Sequence, residues 1–204
     1  MSENLRFKSF GICEYKETYM LMKSTINKDN FKNEVWFLEH YPIYTLGTAA
    51  KKEHILDSGG IPVFRSDRGG EITYHGPGQL VIYFILDIKS LKLGPKSLVE
   101  HLQKFIKSLL ESYGINSNFI DGAPGVYVDE MKIASIGLRI SNGKCYHGIS
   151  INVDMDLRPF KNINPCGFKG LKITQINKLA QGITIQQVKT DSQIMIKDLF
   201  NNLK

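Results

Sequence analysis

Apolar residues recur along the chain with two different periods, and these predict its main strands and helices. Unbroken apolar runs at residues 35–38 and 80–86 are typical of strands buried on both faces. Between residues 96 and 113 the apolar positions return at helical spacing, which predicts an amphipathic helix that ends at Gly114. Ile196, Leu199, Phe200 and Leu203 outline a C-terminal helix. Early strands, a central helix, a later hairpin and terminal helices together favour an α+β or mixed α/β class.

Asn142-Gly143 predicts a hairpin with a type I′ turn between two antiparallel strands. With these two residues as the loop, one face of the hairpin is almost wholly apolar, and a slip of one residue would destroy it. Lys132 lies at the end of this face, where lysine is uncommon. The predicted pairs are Ser141 with Lys144, Ile140 with Cys145, Leu138 with His147, Ile136 with Ile149, Ala134 with Ile151, and Lys132 with Val153.

The composition suits one globular domain, and we expect residues 1–204 to form it. Of the 204 residues 42% are hydrophobic and 23% are charged. The apolar runs are too short to span a bilayer, and residues 1–12 do not resemble a secretory signal. Three widely spaced cysteines argue against both a disulfide framework and a zinc site, so we expect a cytosolic protein with reduced thiols and no bound metal.

The net charge of +6 comes from lysines scattered along the chain. Because they form neither a basic run nor a known nucleic-acid module, we expect no nucleic-acid partner and no membrane partner. A diffuse basic surface of this kind can steer an acidic protein partner towards the protein. Equally, the lysines can belong to solvated faces that imply no partner.

Residues 68–79 combine four glycines and a proline with Arg68, Thr73, Tyr74 and His75, directly before the apolar run at 80–86. A plain turn needs fewer glycines and no such set of polar side chains. The pattern favours a ligand-contacting loop anchored to a buried strand over a simple connector.

Two residues are candidates for acid–base and nucleophilic chemistry. An apolar site disfavours the ammonium form of lysine, so Lys132 could act as a general base or acid; alternatively its side chain extends from the strand end to water. Cys166 lies between Pro165 and Gly167 in a segment with no regular period, which favours a presented thiol. Cys145 and Cys13 lie in predicted strands, where a packing role is expected.

His75 and His147 are alternative bases, since histidine titrates near neutral pH. For His147 the alternative is a core imidazole opposite Leu138. For His75 we favour a structural or substrate-shaping role in the glycine loop.

Six blocks of the chain, in order, resemble the lipoyl(octanoyl) transferase family. They are Leu38–Gly47, Arg68-Gly69-Gly70 with Thr73–Gln79, Gly122–Val128, Lys132–Gly137 and His147–Asp154, and finally Asn164-Pro165-Cys166-Gly167 with Thr174-Gln175. The resemblance implies the fold of the biotin and lipoate protein ligases, a single domain with a mixed, largely antiparallel sheet flanked by helices. It also implies transfer of an octanoyl group from acyl carrier protein, through a thioester on Cys166, to a lysine of lipoyl-domain proteins.

By the same resemblance, Cys166 is the acyl-accepting nucleophile and Lys132 its partner. The acyl-binding residues implied are Arg68, Gly69, Gly70, Glu71, Ile72, Thr73, Tyr74, His75, Ser135, Ile136, Gly137, Gly148, Ile149 and Ser150. The implied partners are acyl carrier protein, the lipoyl domains of 2-oxoacid dehydrogenases and the glycine cleavage H protein. No cofactor is expected, since the substrate brings its own phosphopantetheine arm. The alternatives are an ATP-dependent lipoate–protein ligase and an acyl-binding module without catalysis.

Overall fold

The computed structural model describes residues 5–164 and 170–202. The strands are β1 (Leu5–Cys13), β2 (Asn33–His40), β3 (Ile43–Leu46), β4 (Val63–Arg65), β5 (Ile72–His75), β6 (Gln79–Asp87), β7 (Asn118–Ile120), β8 (Ala123–Val128), β9 (Met131–Ser141) and β10 (Lys144–Asn152). The α-helices are α1 (Tyr15–Ile26), α2 (Pro95–Ser112), α3 (Ile176–Leu179) and α4 (Ile185–Asn202), with short 3₁₀ helices at Lys52–His54 and Arg158–Asn162.

Two sheets organise the molecule. The large sheet has seven strands in the order β1-β2-β6-β10-β9-β8-β7, in which β1 and β2 are parallel and the other neighbours are antiparallel. The small sheet has the order β4-β3-β5 and is also mixed. The predicted fold class, a mixed and largely antiparallel sheet flanked by helices, is confirmed.

The two faces of the large sheet bury different cores. Alternate residues of β2 and β6, such as Phe37 and Ile82, pack with helices α2 and α4 in the main core. Their neighbours, such as Trp36 and Tyr83, form a smaller core with Met22 of α1. Because successive strand side chains point to opposite faces, the continuous apolar runs at 35–38 and 80–86 follow directly from this double burial.

The predicted helices are confirmed, with adjusted ends. Helix α2 begins with Pro95 at its first turn, where the missing proline N–H costs nothing, and Gly114 follows its end with φ of 75°. Helix α4 is longer than the C-terminal pattern indicated, and Leu203 lies outside the described residues. Within the part of the chain that the structure describes, no helix is long and apolar enough to cross a membrane.

The predicted hairpin is confirmed in its turn and in five of its six pairs. Asn142 and Gly143 both have positive φ, 52° and 75°, as a type I′ turn requires. Strands β9 and β10 pair in the predicted register from Ser141–Lys144 to Ala134–Ile151. The sixth pair, Lys132 with Val153, is wrong, because the backbone of Lys132 bonds instead to the segment at 172–174.

Candidate functional site

A cavity of about 560 Å³ lies between the glycine-rich loop and the large sheet. Its wall is the loop at residues 68–73, continued by His75, and its floor is formed by β9 and β10. Fourteen of the fifteen described residues that the family resemblance implies for catalysis or acyl binding line it: Arg68, Gly69, Gly70, Glu71, Ile72, Thr73, His75, Lys132, Ser135, Ile136, Gly137, Gly148, Ile149 and Ser150. Residues far apart in the chain therefore meet in one place.

Tyr74 is the exception among the predicted binding residues. Its ring packs against Tyr44 and Phe160 in the core below the small sheet, and it is not among the residues that line the cavity. Strand β5 alternates, so that Thr73 and His75 line the cavity while Tyr74 lies on the other face. Its predicted role in substrate binding is therefore not supported by its position.

Small side chains make the cavity floor wide. Gly137 pairs with Gly148 and Ser135 pairs with Ser150 across β9 and β10. A Cβ added at Gly148 would lie 1.9 Å from the Ile82 carbonyl oxygen, so the neighbouring strand leaves no room for any side chain there. The cavity surface is mostly apolar, which suits a hydrocarbon chain.

Ile136 and Ile149 line the cavity and also pack against the main core. Strand β8 pairs with β9 only from Met131 to Ala134, so the outer edge of β9 beyond this point is open to the cavity. The first turn of α2, with Pro95 and Val99, closes this side. The cavity therefore extends past the edge of β9 towards α2.

Arg68 stabilises the loop that carries it. Its guanidinium donates to the Thr45 carbonyl at 2.7 Å, to the Glu71 carbonyl at 2.8 Å and to the Gly69 carbonyl at 2.9 Å. Gly69 N donates to Leu138 O at 2.8 Å, which fixes the loop to β9. Because buried carbonyls need donors, Arg68 allows a glycine-rich loop to adopt one shape beside the cavity.

Lys132 is buried, with 3% of its surface exposed, so the alternative in which its side chain extends to water is wrong. Its Nζ lies 5.3 Å from the centre of the Tyr127 ring. Gly125 has φ of 142°, and a Cβ there would lie 2.5 Å from Lys132 Cε. The absence of a side chain at residue 125 therefore makes the space in which Lys132 lies.

The two histidines of the cavity are held differently. His75 Nδ1–H donates to Gln79 Oε1 at 2.7 Å, Thr45 Oγ1 lies 3.3 Å from its Nε2, and burial holds its pKa well below the ordinary value. Both nitrogens are engaged and the ring is neutral, an arrangement that fits the structural or substrate-shaping role predicted for His75. Burial also lowers the pKa of His147, although its hydrogen bond to Asp67 opposes this.

His147 pairs with Leu138 as predicted, but its ring does not pack with the apolar face of the hairpin. It has φ of 63°, and its ring stacks against Tyr146 and Tyr19 of α1. Its Nε2–H donates to Asp67 Oδ1 at 2.9 Å. Among the described residues, its Nδ1 has no hydrogen-bond partner.

Asp67 connects the glycine-rich loop to β10, a feature that the sequence did not reveal. It accepts hydrogen bonds from His147 and from the Tyr146 hydroxyl. Partial burial alone would raise the pKa of Asp67, but these two bonds and the nearby positive charges lower it overall. At neutral pH the Asp67 side chain is therefore a carboxylate, and its two hydrogen bonds to β10 hold the start of the glycine-rich loop in place.

Tyr15 and Tyr83 also line the cavity and were missed from sequence. The His40 ring lies between them: its Nδ1–H donates to the Cys13 carbonyl at 3.0 Å, and its Nε2 accepts from the Tyr83 hydroxyl at 2.7 Å. Tyr83 lies within an apolar run and Tyr15 begins a helix, so neither carries a local signal of a site.

Cys166, the predicted nucleophile, lies outside the described residues. The other two cysteines behave as expected of packing residues. Cys145 is fully buried in the main core, where burial raises its pKa to about 12. Cys13 lies at the end of β1 and is half-buried, and burial raises its pKa as well. Of the cavity residues given by the structure, none is Cys13 or Cys145.

Comparison with known proteins gives one consistent result. The family described as lipoyl protein ligase A/B catalytic domain matches residues 16–194. An octanoyltransferase of Legionella pneumophila (strain Lens) is 50% identical over 182 residues, which are 88% of this chain and 92% of that protein.

Two solved structures share the fold at low sequence identity. A putative lipoate protein ligase from T. acidophilum superposes with a TM-score of 0.76 at 14% identity, covering 96% of this chain and 85% of that one. A structure of a bipartite lipoate protein ligase and its E2 lipoyl domain from Thermoplasma acidophilum gives 0.74 at 15% identity, covering 96% and 83%.

Proposed function

Since the chain belongs to the lipoyl protein ligase A/B catalytic domain family, we propose that it transfers an octanoyl group from acyl carrier protein to a lysine of lipoyl-domain proteins. The observation that carries the proposal is the apolar cavity with a buried lysine in its wall. Burying a lysine side chain is costly, so its place in the wall of an apolar cavity calls for a use. A site that must move a proton beside an acyl chain uses such a group.

The acyl chain occupies the cavity along the floor of small residues. Gly137, Gly148 and the two serines beside them leave width for an unbranched chain, and Ile72 contributes an apolar wall. Since Arg68 and Asp67 hold the loop in place, the cavity is formed before substrate arrives, which lowers the entropic cost of binding.

The chemistry has two steps. The Cys166 thiolate attacks the carbonyl carbon of the octanoyl thioester, and Lys132 protonates the pantetheine sulfur as its bond to carbon breaks. The amine of the acceptor lysine then attacks the octanoyl-Cys166 carbonyl, Lys132 takes the proton, and Cys166 leaves as thiolate. Backbone N–H groups near Cys166 and in the glycine-rich loop stabilise the oxyanion in each step.

The acceptors in this proposal are the lipoyl domains of 2-oxoacid dehydrogenases and the glycine cleavage H protein, with the reaction in the cytoplasm. Its place is in lipoate biosynthesis, since the octanoyl amide is the product. The E2 lipoyl domain described with the Thermoplasma ligase supports an acceptor of this kind. No bound cofactor takes part, because the thioester is already activated.

A lipoate–protein ligase is the second candidate, favoured by the fold of the Thermoplasma ligases. A ligase must activate a free acid with ATP, whereas the transferase reaction runs from a thioester without ATP. An acyl-binding module is the third, and it would hold the chain without transferring it.

One assay separates the three candidates. Purified protein is mixed with a lipoyl domain and either octanoyl-acyl carrier protein or free octanoate with ATP, and acceptor mass is followed. The proposal predicts modification with the thioester alone. Modification that requires ATP and free acid would establish the ligase, and an unmodified acceptor under both conditions would leave only the binding module.

A further inference from the structure

A second cavity, of about 720 Å³, adjoins the first and has a different character. The two share Phe160 and Ile173 in their walls. The second cavity also carries Lys161, Lys172 and Lys178, which we call the lysine groove. It is directly connected to the site, because Lys172 O accepts a hydrogen bond from Lys132 N at 2.8 Å and Thr174 N donates to Lys132 O at 3.0 Å.

The charge of the groove is unbalanced. Arg158 and Asp156 also line it, but they neutralise each other, with guanidinium nitrogens 2.8–3.0 Å from the carboxylate oxygens. Within the described part of the chain, none of the three lysines forms a salt bridge. Three exposed cations around one concave surface attract an anion.

The order of these features along the protein matches the order of groups in the proposed donor. An acyl carrier donor consists of an apolar chain, then the thioester, then an uncharged pantetheine arm, and then a phosphodiester. The protein presents an apolar cavity, then Lys132, then a mixed surface that includes Phe160 and Ile173, and then the lysine groove. When the thioester lies at Lys132 and the chain lies in the first cavity, the arm leaves towards the groove.

We infer that the lysine groove is the subsite for the phosphate-bearing arm of the acyl donor, an inference that rests on the proposed function. The groove binds the phosphate by charge and leaves the pantetheine to contact Leu157 and Ile173. Because the contact is the same before and after acyl transfer, it contributes to donor affinity and leaves the chemical step unchanged.

The test uses small donors. Single-turnover acylation is measured with octanoyl-pantetheine and with octanoyl-phosphopantetheine, which differ only in the phosphate, on the wild type and on Lys161→Gln/Lys172→Gln/Lys178→Gln. The wild type should prefer the phosphorylated donor about tenfold in the second-order rate constant of acylation at low salt, mostly through a lower donor concentration at half-maximal rate. The triple variant should lose this preference and keep its rate on octanoyl-pantetheine.

A matched variant controls for total charge. Lys28→Gln/Lys104→Gln/Lys197→Gln removes the same charge from exposed lysines that line neither cavity, and it should keep the preference. Raising the salt concentration to roughly 0.5 M should weaken the preference in the wild type, because the lysines are exposed and their charges are screened.

Three outcomes would overturn the inference. Equal wild-type rates on both small donors would show that the groove does not bind the phosphate, while the proposed octanoyl transfer would stand. A lysine effect seen only with whole acyl carrier protein would make the groove a protein-docking surface. Equal rates on both donors, together with loss of ATP-dependent octanoate loading in the triple variant, would assign the groove to nucleotide phosphates. By contrast, failure of the wild type to become acylated by any thioester would reject the proposed function itself.

Discussion

Lys132 and Gly125 act together at the centre of the site. The lysine is buried beside the Tyr127 ring, and the glycine leaves the volume that its side chain fills. A buried lysine can lose its proton far more easily than an arginine, whose guanidinium stays charged in proteins. Proton transfer is the role proposed for Lys132, and an arginine at this position would keep the charge without it.

Lys132→Arg should lose octanoyl transfer nearly as completely as Lys132→Ala, by about 100-fold or more, because Arg keeps the charge but cannot shuttle a proton. Alkylation of Cys166 followed against pH gives a second readout. It should shift to higher pH in Lys132→Ala and less so in Lys132→Arg, since Arg still favours a thiolate. Near-normal turnover in Lys132→Arg would refute proton transfer by Lys132 and restore His75 or His147 as the candidate base.

Gly125→Ala should reduce octanoyl transfer by displacing the Lys132 side chain, because the new methyl group would lie 2.5 Å from Lys132 Cε. Gly60→Ala is the matched control. Gly60 also has positive φ, 80°, but a Cβ there would meet nothing within 4 Å, and it lines neither cavity. Both variants carry the backbone strain, and only Gly125→Ala should lose transfer beyond its loss of thermal stability. Equal activities of the two would contradict the role given to Gly125.

At this scale the sequence predicted most of the residues that the structure brings together around the cavity, but not all of them. Motif resemblance and burial pattern together brought out Lys132 and the loop residues that line the cavity. Asp67 and Tyr146 could not be found in this way, because their contact joins residues 79 positions apart and follows no local pattern. Tyr74 does not line the cavity, since a motif does not show which face of a strand each residue occupies.

At the scale of elements, the β9–β10 hairpin forms the cavity floor, and its register depends on a two-residue turn. A shift by one residue would move Gly137 and Gly148 off the floor and place larger side chains there. The turn residues Asn142 and Gly143 thus influence the shape of a cavity that they do not line.

Asn142→Ala should lower the free energy of unfolding by about 1 kcal/mol, because alanine tolerates the left-handed backbone at this position less well than asparagine. Urea unfolding should show a lower midpoint with an unchanged slope. Ser141→Ala, one residue earlier in extended backbone, should change the free energy by less than about 0.5 kcal/mol. An equally stable Asn142→Ala would mean that the strand pairs alone hold the register.

Helix α1 shows where element prediction failed. Two of its five buried positions, Thr18 and Thr25, are threonines, so the stripe that faces the sheet gives a weak hydrophobic period. The small sheet of β3, β4 and β5 was missed for a related reason, because β4 and β5 have only three and four residues. The long, strongly patterned elements, β6 and α2, were predicted nearly to their ends.

At the scale of the whole molecule, the two sheets hold three buried neutral histidines, His40 and His147 on the large sheet and His75 on the small one. Burial lowers the pKa of His40 to about 4 from an ordinary value of 6.5, and it also lowers those of His75 and His147. At a pH between the folded-state and the unfolded-state pKa of a histidine, the unfolded chain binds a proton that the folded protein does not. The stability from each neutral histidine is therefore complete above about pH 6.5 and is lost as the pH falls.

Urea unfolding should consequently show a marked loss of stability between about pH 7 and pH 4.5. His40 alone accounts for about 3 kcal/mol over its full range, from the ordinary pKa of 6.5 to about 4. His40→Gln should flatten the pH dependence, whatever its effect on stability at neutral pH. A wild-type stability that stays constant over this range would contradict the neutral, buried state of these rings.

Acylation of the whole protein is the decisive test of octanoyl transfer through a thioester on Cys166. The protein is mixed with octanoyl-acyl carrier protein and its intact mass is measured, before and after treatment with hydroxylamine. We expect one octanoyl adduct that hydroxylamine removes, present in the wild type and in Cys145→Ala and absent in Cys166→Ala. An adduct that persists in Cys166→Ala, or no adduct in a wild type that still modifies the lipoyl domain, would contradict it.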